Sequence, residues 1–124
     1  AGDIAQHEGV CYGIWPPARE QGKIAGLNMA GKEARYAGSL DTYSLKVVGV
    51  NMLSAGRIEP GSEGNFEERF EIDRKNGNYR KFVINNDQKL VGTVFLGDIS
   101  KSREAVKAVR ENIHYQDLPE KIMI

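Results

Sequence analysis

Residues 66–96, FEERFEIDRKNGNYRKFVINNDQKLVGTVFL, decide the fold of the larger part of this chain. Phe66, Phe70 and Ile72 alternate with Glu67, Arg69, Glu71 and Asp73, the period-two pattern of a strand with one wet face. Asn76-Gly77 follows, a pair suited to a two-residue hairpin turn whose central positions both need positive φ. YRKFVIN at 79–85 supplies a second strand, Asn86-Asp87 the next turn, and KLVGTVFL at 89–96 a third strand. Short strands joined by tight turns make an antiparallel meander. Gly97-Asp98 ends it, and a helix is expected from Ser100 to Ile113, capped by Asp98 or Ser100, with Ala105, Val106, Val109 and Ile113 on one face. Residues 118–124 form a short tail with Leu118-Pro119 and an apolar end, Ile122-Met123-Ile124.

Upstream, TYSLKVVGVNMLSAG at 42–56 is β-branched and aromatic and reads as a strand, with Gly49 as a bulge or kink inside it. RIEPGSEGN at 57–65 is a loop, and residues 32–41 are polar and loop-like. PPAREQGKIAGLNMAG at 16–31 predicts a helix. Its prolines suit the first turn, where an N–H is not needed, and Gly31 is a C-terminal stop. Ala18, Gly22, Ala25 or Gly26, and Met29 form a narrow stripe. Each interior glycine costs roughly 1 kcal/mol relative to alanine, which implies close packing, either on a sheet or beside a cofactor. The partition is an N-terminal segment at 1–35, an α+β domain at 40–117 and the tail at 118–124.

Composition narrows the function classes. The chain has 124 residues, with 17 Lys+Arg against 17 Asp+Glu, so no net charge drives binding to nucleic acid. Apolar runs are only a few residues long, too short for a membrane helix, and no charged-then-apolar secretory pattern is visible. Cys11 has no second cysteine with which to pair, which fits a reducing, cytoplasmic setting.

There is no G-x-G-x-x-G turn and no phosphate loop, so tight binding of FAD or NAD by this chain alone is not expected. His7, Glu8 and Cys11 are too few for a structural zinc, and Cys11 is expected to be buried or half-buried as a small apolar residue. The acidic residues at 67, 68, 71 and 73 are expected on a solvated strand face. Asp3, beside Gly2, either accepts hydrogen bonds from sugar or ribityl hydroxyls or serves as a loop aspartate. The helix start at Ile14 to Pro17 can direct amides and a positive dipole end at an electron-rich ligand edge. Trp15 either stacks on a planar group or anchors the turn in the core.

GDIAQ, then YGIWPPAREQGKIAGLNMAG, then SLKVVGVNMLSAG together resemble the C-terminal third of FAD-dependent pyridine-nucleotide oxidoreductases. The resemblance is to NADH:rubredoxin reductases and to the flavoprotein portion of nitrite reductase large subunits. YRKFVINNDQKLVGTVFLGDIS resembles the small C-terminal domain of the former. The resemblance implies an α+β fold: a small antiparallel meander with a C-terminal helix, preceded by a strand-end and helix remnant of an FAD-binding domain. It also implies a parent enzyme passing electrons from NAD(P)H through FAD to a carrier protein or downstream redox centre, with this fragment itself inactive. The alternative is a non-catalytic docking or dimerisation module. Carried residue by residue, Asp3 would bond the FAD ribityl chain and the turn at Ile14, Trp15 and Pro16 would meet the flavin pyrimidine edge. Lys46 is a candidate for the flavin side, and Gln21 and Gly22 would be structural. The pyrophosphate motif, the NAD domain and most of the FAD domain would precede Ala1. The surface of 1–35 would then pack on the chain's own meander or in a homodimer.

Overall fold

A computed structural model describes residues 1–61, 64–120 and 122 and resolves two compact units, Ala1–Ser39 and Leu40–Ile124. Met123 and Ile124, part of the expected apolar tail, lie outside the described residues.

The first unit has two short paired strands, β1 (Gln6–His7) and β2 (Val10–Cys11), then helix α1 (Trp15–Met29). Ile14 is the extended N-cap, and Pro16 and Pro17 occupy the first turn as expected. Helix α1 stops because Gly31, at φ +77°, turns the chain left-handed. Gly31 N–H then donates to the Asn28 carbonyl at 3.0 Å and Lys32 N–H to the Leu27 carbonyl at 2.9 Å, the paired bonds of a Schellman end.

The second unit is an antiparallel five-stranded sheet in the order β3-β4-β7-β6-β5. Its strands are β3 (Thr42–Val47), β4 (Val50–Gly56), β5 (Glu67–Asp73), β6 (Asn78–Ile84) and β7 (Leu90–Leu96), followed by helix α2 (Ser102–Arg110) and a 3-10 turn at Tyr115–Asp117. The α+β class and the C-terminal helix are as expected, but the meander is only part of the sheet. The stretch 42–56 is a hairpin of two strands rather than one bulged strand. Val48, at φ +50°, and Gly49, at φ +81°, form its two-residue turn, with Val47 opposite Val50.

The Asn76-Gly77 turn differs too. Asp73 pairs with Asn78, leaving a four-residue loop at 74–77, and of Asn76 and Gly77 only Gly77 has positive φ. The Asp73 carboxylate accepts the Lys75 and Asn76 backbone N–H groups at 3.1 and 3.2 Å and takes over the work of a tighter turn. Helix α2 is shorter than expected at both ends. Asp98 accepts the Ser100 N–H at 2.9 Å one turn early, and the N-cap, Lys101, has no side-chain cap. Asn112, at φ +50°, ends the helix before Ile113, whose N–H reaches back to the Ala108 carbonyl at 3.0 Å.

The core lies between the sheet, α2 and the C-terminal segment. Phe82, Ile84, Leu90, Phe95, Ala105, Ala108, Val109, Tyr115, Leu118 and Ile122 are buried together. Phe82 meets Phe95 and Tyr115 edge to face at 6.0 and 6.1 Å, each such pair adding about 0.5–1.5 kcal/mol beyond burial. Arg69, directly opposite Phe82, lies on this covered side, with its guanidinium 4.4 Å from the Tyr115 ring. The apolar residues of β5 therefore take the other side: Phe70 is 58% exposed and Ile72 53%. The alternation along β5 was legible, and the acidic residues are solvated as expected: Glu67, Glu68 and Glu71 are exposed and Asp73 is half-buried. The difference is that Arg69 lies against the core aromatics, Glu68 shares the Phe70 face, and that apolar face is open. Registered neighbours extend that open face through Tyr43, Leu45, Val47 and Val50, which are also exposed. On the same face Lys81, opposite Phe70, makes a diagonal ion pair with Glu68 at 2.8 Å.

Candidate functional site

The residues singled out at the N-terminus fall within the first unit. Gly2 and Asp3 lie in a turn closed by the Ala5 N–H donating to the Gly2 carbonyl at 2.9 Å, and the Asp3 side chain is exposed. Gly2 N–H donates to the Gln21 side-chain oxygen at 2.8 Å, which fastens this turn to α1. Gln21 and Pro17 are the buried residues of the helix. At its start, Trp15 is 71% exposed with the Arg19 guanidinium 5.5 Å from its ring, so Trp15 does not anchor the turn in a core. Ile14 is half-buried and Pro16 exposed.

The helix start has less to offer an anion than a generic one. Pro16 and Pro17 carry no N–H, and the Ala18 N–H donates to the Ile14 carbonyl at 3.3 Å. That leaves the Trp15 N–H as the donor the first turn can aim at a ligand edge.

The loop after α1, expected to be a plain polar connection, is latched to the helix. The Asn28 side chain donates to the Ala34 carbonyl at 2.8 Å and accepts the Ala34 N–H at 3.0 Å. Ser39 Oγ donates to Glu20 Oε2 at 2.6 Å and lies 2.6 Å from the Tyr36 hydroxyl. Ser39 N–H donates to the Tyr12 hydroxyl at 3.1 Å, and His7 meets the Tyr36 ring edge-on at 4.8 Å. Two tyrosines and a serine spread over 27 positions give no spacing signal, so this network was not readable in advance. Cys11, expected to be at least half-buried, is exposed, because its strand is only two residues long and pairs on one side with β1.

The narrow stripe on α1 is open at Gly22, Gly26 and Met29, while Ala18 and Ala25 are half-buried. A Cβ built on Gly22 or Gly26 has no heavy atom within 4 Å, and Met29 is exposed. The close approach expected at these glycines is therefore absent from this structure. Beside Gln21 is a concavity of about 240 Å³, lined in part by Ala5, His7, Ile24, Ala25, Asn28 and Tyr36. That is smaller than the ~300–1,000 Å³ of sites that enclose a whole small ligand. Lys46 belongs to the second unit, on edge strand β3 opposite Asn51, and is exposed. No described helix is long and apolar enough to cross a membrane.

The donor set suits part of a flavin. An exposed carboxylate at Asp3 can accept from ribityl hydroxyls, and the Trp15 N–H can meet a carbonyl edge. Phosphate-binding turns are absent from the sequence. These features define a small antiparallel α+β domain that follows a turn-and-helix unit.

Residues 42–113 match the family described as the Rubredoxin NAD+ reductase C-terminal domain, and the chain belongs to that family. It is 34% identical over 111 residues to a nitrite reductase [NAD(P)H] of Bacillus subtilis, covering 89% of this chain and 13% of that protein. It is 26% identical over 119 residues to an NADH-rubredoxin oxidoreductase of Clostridium acetobutylicum, covering 94% of this chain and 30% of that protein. The crystal structure of NADH:rubredoxin oxidoreductase from Clostridium acetobutylicum superposes with a TM-score of 0.67 at 25% identity, over 94% of this chain and 30% of that one. A NAD-dependent persulfide reductase of A. fulgidus shares the fold, with a TM-score of 0.70 at 19% identity over 82% of this chain and 21% of that one. The chain thus spans less than a third of the length of each of these proteins.

Proposed function

We propose that this chain is the C-terminal part of a cytoplasmic FAD-dependent oxidoreductase that passes electrons from NAD(P)H to a carrier protein or downstream redox centre. In this reading residues 1–35 are the last piece of an FAD-binding domain and residues 40–117 the appended α+β domain. The partners of these residues are the parent's own FAD and NAD domains. One observation carries the reading: the Gly2-Asp3 turn is hydrogen-bonded onto the helix whose start is Ile14-Trp15-Pro16, so two candidate flavin contacts share one scaffold.

Bound there, FAD would supply hydride-accepting and electron-transfer chemistry. The chain's residues bind and orient it. Asp3 accepts hydrogen bonds from ribityl hydroxyls. The Trp15 N–H, at the positive end of α1, favours negative charge on the pyrimidine edge. Ile14 and Pro16 fix that turn, and Lys46 adds a positive charge on the flavin side. The chain alone holds no flavin in this reading, because it lacks a pyrophosphate cradle. The test is to purify this chain and the full-length protein side by side. The full-length protein should carry a visible flavin absorption band and this chain none; a full-length protein that stays colourless after addition of FAD would overturn the reading.

The open sheet face favours a second reading, a non-catalytic docking or dimerisation module. Tyr43, Leu45, Val47 and Val50 at the β3–β4 edge, and Phe70 and Ile72 on β5 at the other edge, are exposed apolar residues on one sheet face, of the kind that marks an interaction site. Light scattering across a concentration series tests the homodimer version. A monomer at all concentrations would rule it out.

A further inference from the structure

Gln21 is the sole buried polar side chain of α1, at 7% exposure. A buried amide needs a partner, since leaving it unpaired costs free energy. Its partner is the Gly2 N–H at 2.8 Å, while the Gly2 carbonyl accepts from Ala5. Both backbone polar groups of Gly2 are thereby fixed. Asp3 follows directly, so its backbone starts from an anchored peptide while its carboxylate stays exposed. Seven positions along, Asn28 uses its amide in the same way, bonding the Ala34 backbone. Gln21 and Asn28 both border the concavity, and each ties one flanking segment to the helix.

We propose that Gln21 is a positioning residue of the flavin site. It acts through Gly2 and sets where the Asp3 carboxylate stands relative to the helix start at Ile14–Pro16. An apolar side chain at 21 would fill the same space but leave the Gly2 N–H without its acceptor, and the turn would lose its fixed register on the helix. This role rests on the flavoprotein reading above and goes beyond it, because Gln21 is not itself a flavin contact.

The experiment has two arms. In this chain, the NMR temperature coefficient of the Gly2 amide should report a hydrogen-bonded proton. Gln21→Met, close in volume and without a side-chain acceptor for this bond, should shift it to a solvent-exposed value with helix content unchanged by circular dichroism. In the full-length flavoprotein, with FAD as the probe, Gln21→Met should weaken FAD binding about tenfold. Gln21→Glu keeps an acceptor and should stay within about threefold of wild type. If Gln21→Met does not fold, Gln21→Asn, one methylene short of Gly2, should give the same loss. A Gly2 amide indifferent to Gln21→Met overturns the tie. A lost tie with unchanged FAD affinity overturns the positioning role. Wild-type protein that does not bind FAD overturns the flavoprotein reading and the positioning role with it.

Discussion

Replacing both Gly22 and Gly26 by alanine tests whether the small-residue face of α1 is open in this chain. Neither position has a heavy atom within 4 Å of a built Cβ, so the added methyl groups meet no contact. What remains is backbone entropy. Alanine favours a helix interior over glycine by about 0.8–1.0 kcal/mol per site, so the pair should add about 1.6–2 kcal/mol to α1. At about 1.4 kcal/mol per factor of ten, the helical equilibrium should shift roughly twentyfold. Native-state amide exchange is the right assay, because it reports α1 separately from the sheet unit. Protection at Ile24 through Leu27 should rise by about that factor, with α2 unchanged. Unchanged or reduced protection would refute the reasoning, since it would mean that something packs against the helix at these glycines. If the parent's FAD-binding domain covers the stripe in the full-length flavoprotein, the same double substitution should be destabilising there.

Val48 is β-branched and sits at φ +50° in the β3–β4 turn, so Val48→Asn should stabilise the second unit by about 1 kcal/mol. A thermal midpoint that does not rise would count against the strained turn. Phe82 is fully buried against Phe95 and Tyr115, and Phe82→Ala should cost about 3–5 kcal/mol in urea unfolding followed on the sheet, while α1 amides keep their exchange rates. The Asp73 carboxyl is held below its ordinary 3.8, chiefly by the Asn76 side chain and then by the Asn76 and Lys75 backbone N–H groups. A depressed carboxyl pKa adds stability above the unfolded value and loses it as pH falls through the lower folded value. The loop at 74–77 should therefore keep its amide shifts down to about pH 3.8 and lose them below it, and Asp73→Asn should abolish that transition. A loop that loosens well above that pH would contradict the assignment.

The chain's own residues determined much of this protein. Pro16-Pro17 and Gly31 bounded α1 because each acts through its own backbone: proline has no N–H to lose, and glycine enters a left-handed turn freely. Alternation along 66–73 and apolar runs at 79–85 and 89–96 gave the strands of the meander, because the period-two geometry of a strand is local. The motifs at Gly2-Asp3, Trp15-Pro16 and 42–56 carried the family. Val48-Gly49 was missed as a hairpin because valine rarely adopts positive φ, and only the pairing of Val47 with Val50 forces it. Asn76-Gly77 was over-read for the converse reason, since Asp73 supplies the turn's hydrogen bonds from outside the dipeptide.

Tertiary structure decided which side of the sheet is dry. Alternation assigns Phe70 and Arg69 to opposite faces, but it does not say which face α2 and Tyr115 will cover. The long Arg69 side chain can reach over an aromatic ring, so a charged residue is tolerated on the covered margin while Phe70 stays open. Tertiary structure also joined Gly2 to Gln21 and Ser39 to Tyr12 and Glu20, contacts between residues 19 to 27 positions apart. Such contacts depend on where the helix axis places its side chains against a loop, and no local period encodes that.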